Sequence, residues 1–209
     1  MTQATAVALA PGLASEEDQQ RAQIYTLLAR LLVAPPDGDA LGQLAGLEGD
    51  DTALGRAFTA LGRAAAKADA KAVEREYFAL FIGVGRGELL PFASFYLTGF
   101  LNERPLAELR GDLAAIGLAR AEGRFEPEDH IATLCEVMAQ LASGEADAAA
   151  LGCGAQGEAG FFARHLEPWA GMFFDDLDRA SGSDFYRHVA AIGAAFMAIE
   201  TRAAKMARD

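Results

Sequence analysis

The stretch FEPEDHIATLCEVMAQL, Phe125 to Leu141, decides how this chain reads. Its apolar residues Ile131, Leu134, Cys135, Met138 and Leu141 recur at three- and four-residue spacing and so share one face of an α-helix. Pro127 suits the first position of that helix, where its missing N–H would be unpaired anyway. Glu128 and Asp129 then fall in the first turn, where the helix dipole favours acids. The segment Glu126 to His130 has two readings. One is N-terminal capping alone. The other is an acidic helix mouth that accepts a cationic peptide, with His130 hydrogen-bonding a carbonyl or sensing pH.

The same period runs outward in both directions. A helix is expected over Ser15 to Val33, capped by Ser15, favoured by Glu16, Glu17 and Asp18, and stopped by Pro35-Pro36. Further helices are expected over Asp39 to Leu47, Asp51 to Ala68, Ala70 to Ile82, Phe92 to Leu101 (opened by Pro91) and Pro105 to Ile116. Beyond Leu141 come helical potential over Glu145 to Leu151, then Glu158 to His165, Pro168 to Ala180 and Ser183 to Ala207. The last should bury Phe185, Val189, Ile192, Phe196 and Ile199, and Trp169 should pack in the core. No segment sustains a period of two, and neither repeats nor heptads occur. The fold class is therefore all-α, a single-domain multi-helix bundle over residues 15–209 behind a disordered tail over residues 1–14.

Composition narrows the function. The 209 residues carry 18 Lys+Arg against 30 Asp+Glu, a net charge of −12, with 52% apolar residues. Such a chain can bury a core without staples. Its charge repels nucleic acid and anionic membranes and attracts a cationic partner. Cys135 and Cys153 form neither a zinc spacing nor a disulfide framework, which suits a reducing compartment. The apolar N-terminal stretch Thr5 to Leu13 has no preceding Lys or Arg, so it does not read as a signal peptide. No apolar run approaches the roughly 18 residues of a membrane span. The expected location is cytoplasmic.

Several constellations could carry chemistry. The loop Gly83-Val84-Gly85-Arg86-Gly87 lacks the Lys-Ser/Thr of a phosphate-binding loop and follows a helix instead of a strand, so an interhelical turn is expected. Ser94, His130 and Asp129 are the residue types of a hydrolase triad. Adjacent residues on a helix point about 100° apart, however, so Asp129 is poorly placed to orient His130. No pair among His130, His165, His188 and the cysteines has a helix-borne metal spacing. Tyr77, Leu80, Phe81, Pro91, Phe92, Phe95 and Tyr96 flank the glycine loop. They read either as core or as the wall of a groove for an apolar peptide.

Four segments together resemble a known family. They are EREYFALFIG with LLPFASFYL (Glu74 to Gly83 and Leu89 to Leu97), FEPEDHIATLCEVMAQL, FFARHLEPWAGMFFDDL (Phe161 to Leu177) and the terminal DFYRHVAAIGAAFMAIE. The order and the E-P-x-D-H and His-x-x-Pro-Trp signatures are similar to the TorD/DmsD type of redox-enzyme maturation chaperones. The resemblance implies an all-helical cytoplasmic chaperone without catalytic activity; the residues themselves point to no metal or cofactor. Its implied partners are a molybdoenzyme precursor and its twin-arginine signal peptide, held until molybdopterin is installed. It places Tyr77, Leu80, Phe81, Pro91, Phe92 and Ser94 at positions of the signal-peptide pocket, and Asp129 and His130 on its far side. Tyr77 and Phe92 stand where some relatives have Trp. Glu126, Glu128 and Asp129 are the expected partners of the peptide's arginines. The resemblance leaves monomer and domain-swapped dimer open, with Ser143 to Gly157 as a possible hinge. The competing readings are a helical adaptor for another basic amphipathic segment, and a weak hydrolase or nucleotidase.

Overall fold

A computed structural model describes residues 14–119, 126–151 and 157–208. The tail over 1–13, Phe125 and Cys153 lie outside the described residues. Helix α1 spans Glu16–Val33. It opens on a reciprocal cap: the Ser15 hydroxyl accepts the Asp18 N–H, and the Asp18 carboxylate accepts the Ser15 N–H. Its last carbonyls are met by tyrosines from elsewhere. The Tyr186 hydroxyl donates to Leu31 O at 3.0 Å and the Tyr77 hydroxyl to Val33 O at 2.9 Å. Pro35 and Pro36 could not have continued the helix.

Helices α2 (Gly38–Leu44), α3 (Ala53–Ala65) and α4 (Ala70–Tyr77) follow, each opened by an Asp or Thr cap from Asp37, Thr52 or Asp69. Next come α5 (Ala93–Thr98), α6 (Arg104–Ala115), α7 (Ile131–Ser143), α8 (Gly157–His165), α9 (Ala170–Arg179) and α10 (Tyr186–Arg208). Among the described residues the regular structure is helical, as the period predicts.

The core is one connected cluster. Helix α1 lies along α7, and α10 packs on α9, α3 and α8. Tyr25, Leu28 and Leu32 of α1 meet a core that contains Leu134, Met138, Phe161, Phe173 and Phe196, all essentially without exposure. Gly193 lets α10 approach α9 closely, since a Cβ there would sit 2.1 Å from the Phe174 ring. Trp169 is fully buried, as expected, and its indole donates to His165 O at 2.7 Å.

Several boundaries differ from the reading of the sequence. Pro127, Glu128 and Asp129 are not helical: α7 starts at Ile131 with His130 as its N-cap. Pro91 does not open a helix, and α5 ends at Gly99, which takes φ 83°. The expected helix over Ala70 to Ile82 is α-helical only to Tyr77 and closes with a π-turn over Phe78–Ile82. Glu145 to Leu151 contributes only a 3₁₀ turn at Ala148–Leu151. Helix α9 begins two residues past Pro168. Ile199 is 37% exposed, while its neighbour Glu200 is 2% exposed. The apolar period could not reveal this, because Glu200 is held inside by charge: Arg21 donates to its two oxygens at 2.8 and 2.7 Å, and the Tyr25 hydroxyl donates at 2.7 Å.

Candidate functional site

The two signature segments meet. Phe92 and His130 form an isolated antiparallel bridge. The Ile131 N–H donates to Pro91 O at 2.9 Å, and the Ala93 N–H donates to Asp129 O at 3.0 Å. The Asp129 carboxylate completes the brace by accepting the Ser94 N–H at 2.8 Å. This is why the helix at Pro127 does not form: the backbone of Asp129 to Ile131 is spent on the segment before α5. Asp129 is a cap, as one reading had it, but of α5 and not of its own helix.

His130 caps α7 with its ring, Nδ1 accepting the Ala132 N–H at 3.1 Å, and its ring stands edge-on to Phe92 at 5.1 Å. Two polar atoms in the brace are buried without a hydrogen-bond partner, Ser94 Oγ and Asp129 Oδ1. Each such atom costs about 1–3 kcal/mol. The triad geometry is not made, because Asp129 serves the Ser94 backbone and His130 Nδ1 serves Ala132. Cys135 is no better as a nucleophile, since complete burial pushes its thiol pKa well up.

Tyr77, Phe81 and Tyr186 form a second group of rings, with centroids 5.0 to 5.8 Å apart. Burial, then the Glu126 charge, pushes the Tyr77 hydroxyl up to about 12. The glycine loop closes back on the π-turn. The Glu88 and Leu89 N–H groups donate to Ala79 O and Leu80 O at 3.2 and 2.8 Å. Gly87 presses on this backbone so closely that a Cβ would lie 2.5 Å from Phe81 C.

The structure thus brings Pro91, Phe92, Ser94, Asp129 and His130 together, and places Tyr77 and Phe81 in a neighbouring ring cluster. It corrects the role of several. Leu80, Ser94 and Asp129 have no exposure, so none is a surface contact. Leu80 faces the core on the same side as Val73, as its helical spacing predicts. Glu128 is engaged by Arg110, which donates to Glu128 Oε2 through Nε and Nη2 at 3.0 and 2.8 Å. Tyr77, Phe81 and Phe92 are half-buried and Glu126 is exposed. Sequence reasoning missed Glu76. Its carboxylate accepts the N–H groups of Asp184, Phe185 and Tyr186 at 2.9, 3.0 and 2.7 Å, which caps α10 from α4. No local signal marks a cap supplied from so far away in the chain. Among the described residues, no cluster of His, Cys, Asp and Glu suits a metal ion, and no helix is long and apolar enough to cross a membrane.

Residues 47–175 match the family described as nitrate reductase delta subunit. Chaperone protein TorD of Vibrio cholerae serotype O1 (strain ATCC 39541 / Classical Ogawa 395 / O395) is 30% identical over 122 residues, 56% of this chain and 56% of that protein. Chaperone protein TorD of Aliivibrio fischeri (strain ATCC 700601 / ES114) is 29% identical over 142 residues, covering 59% of this chain and 65% of that protein. The chain thus spans little more than half the length of the Vibrio cholerae relative. A crystal structure described as a redox enzyme maturation protein from Archaeoglobus fulgidus superposes with a TM-score of 0.58 at 19% identity, over 85% of this chain and 93% of that one. The all-α fold is shared.

Proposed function

The chain belongs to the nitrate reductase delta subunit family, and from that membership we propose that it is a cytoplasmic maturation chaperone for a molybdoenzyme. It binds the precursor's twin-arginine signal peptide, its folding body, or both, and holds the precursor until molybdopterin is inserted. It has no catalytic role of its own.

The observation that carries this reading is the buried brace between Pro91–Ser94 and Asp129–Ile131. It joins the two resembling segments and keeps two unpaired polar atoms inside at a cost to stability. Such a cost is expected where a surface must be held in one shape. Here Asp129 and Ser94 position, while Phe81 and Phe92 keep part of their surface exposed and Glu126 is exposed. A peptide with arginines at one end and an apolar stretch at the other complements this surface. Guanidinium groups favour carboxylates, and the net charge of −12 steers them in.

The test is calorimetric titration of the full chain with a synthetic twin-arginine signal peptide, against the same peptide with both arginines changed to lysine. Micromolar or tighter binding that weakens with the lysine pair is expected. Equal binding of both would favour an adaptor for basic amphipathic segments in general.

A further inference from the structure

Helix α1 has a second apolar side that the core only partly covers. Ile24 and Leu27 of α1, Leu47 beyond α2, and Leu54 and Phe58 of α3 pack against the core cluster and stay half-buried. Together they line a groove of about 610 Å³ between α1 and α3. Its rim is polar. Gln20 and Gln23 edge it on α1, and exposed Glu48 and Asp50 edge it on the loop before α3. The bases of the neighbouring elements are engaged or placed elsewhere. Arg56 bonds Asp51 O, Arg21 bonds Glu200, and Arg30 lines the opposite side of α1. Among the described residues that line the groove, the charged ones are therefore both acids.

Such a groove selects its occupant. Clustered apolar side chains mark a contact surface, and an acidic segment is repelled by Glu48 and Asp50. In a chain with 30 Asp+Glu, the stretch TQATAVALAPGLA, Thr2 to Ala14, has no charged side chain and carries Val7, Leu9 and Leu13. It also joins α1 beside the groove. The Ser15 cap fixes where the chain meets the helix, and Gln20 and Leu27 lie about 6 and 17 Å along the axis from Glu16. A stretch of that length reaches about 43 Å when extended, so returning along α1 is within its span. Pro11-Gly12, the pair that favours a type II turn, stands where the chain must reverse.

We propose that this stretch reverses at Pro11-Gly12 and lays Val7 and Leu9 in the groove, as the chain's own cover for α1 and α3. A partner that needs this face must first displace it. The contact does not depend on the chaperone reading.

The test uses the full chain with labelled Ile and Leu methyl groups, observed by NMR. Val7→Ser with Leu9→Ser should shift the methyl signals of Ile24, Leu27 and Leu54. It should leave in place those of Leu97 and Leu101, which are exposed in and after α5. The same variant should bind the apolar dye ANS about threefold more strongly or better, as uncovered apolar surface does, with helicity unchanged. Pro11→Ala with Gly12→Ala, which removes the turn pair, should move the same signals in the same direction. Signals of Ile24, Leu27 and Leu54 that stay in place in both variants overturn the proposal and leave the groove to an outside partner. Signals that already move with protein concentration in the wild type overturn it as well, and make a second copy the occupant.

Discussion

Asp129 braces the candidate site from inside the core. It is fully buried, and its carboxylate accepts the first free N–H of α5, from Ser94. Loss of such a cap costs about 1–2 kcal/mol. For a domain of this size that lowers Tm by roughly 2–8 °C. Asp129→Ala should show that drop together with weaker peptide binding, whereas Asp129→Asn, which keeps an acceptor, should retain most of both. Weaker binding of Asp129→Ala at an unchanged Tm would return Asp129 to direct contact. His165 makes a different prediction. Burial lowers its pKa more than the carboxylate of Asp112, 2.7 Å away, raises it, and Arg164 adds to the lowering. The unfolded chain thus takes up the proton first as pH falls. The stability that neutral His165 contributes is present above the ordinary value and is lost as pH drops below about 6.5. Tm measured from about pH 7.5 to about pH 5.5 should fall, and His165→Gln should flatten part of that fall. An equal fall in the variant would assign it to other groups. Residue types gave warning of neither role: the acidic first turn expected at Glu128 and Asp129 followed the dipole rule, but Asp129 bonds across to another element.

At the scale of elements, the helices were legible because apolar spacing and local caps are both written in short windows. Ser15 and Pro35-Pro36 act where they stand. What was not legible is every cap supplied from a distance. Glu76 on α4 gathers three N–H groups at the start of α10, and Glu88 accepts the Ser181 N–H at 2.8 Å. Glu76→Ala should therefore loosen the start of α10 instead of α4. Charge-assisted bonds of this kind are worth about 1.5–3 kcal/mol each, though the three share one carboxylate and will not add fully. Hydrogen exchange should speed up at Phe185 to Val189 with little change in the middle of α4. Faster exchange spread evenly over both helices would mean global destabilisation and would defeat the capping argument. The π-turn was illegible for a related reason. Val73, Tyr77, Leu80 and Phe81 fit an unbroken α-period, and only the glycine loop folding back onto Ala79 and Leu80 shifts the register. The same loop was read correctly as a turn, because Gly83 and Gly85 take positive φ.

At the scale of the whole molecule, an ionic cluster centred on buried Glu200 ties the two ends of the described chain together. Arg21 on α1 bonds both oxygens of Glu200 on α10 and one of Glu158 on α8, and Tyr25 donates to Glu200 as well. Glu200 is 2% exposed, so its charge is tolerated inside only while Arg21 faces it. Burial raises the Glu158 carboxyl above the usual range, and Arg21 acts against that shift. Removing one partner of such a pair strands the other and costs about 3–5 kcal/mol, while replacing both with neutral groups of similar size often costs far less. Arg21→Met should thus lower Tm by roughly 6–20 °C. Adding Glu200→Gln, which leaves Tyr25 an acceptor, should recover a large part of that loss although it removes a second native group. Trp169→Ala is the reference for an apolar loss of comparable size, about 3–5 kcal/mol, and should gain nothing from Glu200→Gln. If the Arg21→Met, Glu200→Gln double variant is less stable than Arg21→Met alone, Glu200 is not stranded by loss of Arg21. The closure of α1 and α8 on α10 would then rest on apolar packing, with the cluster adding little.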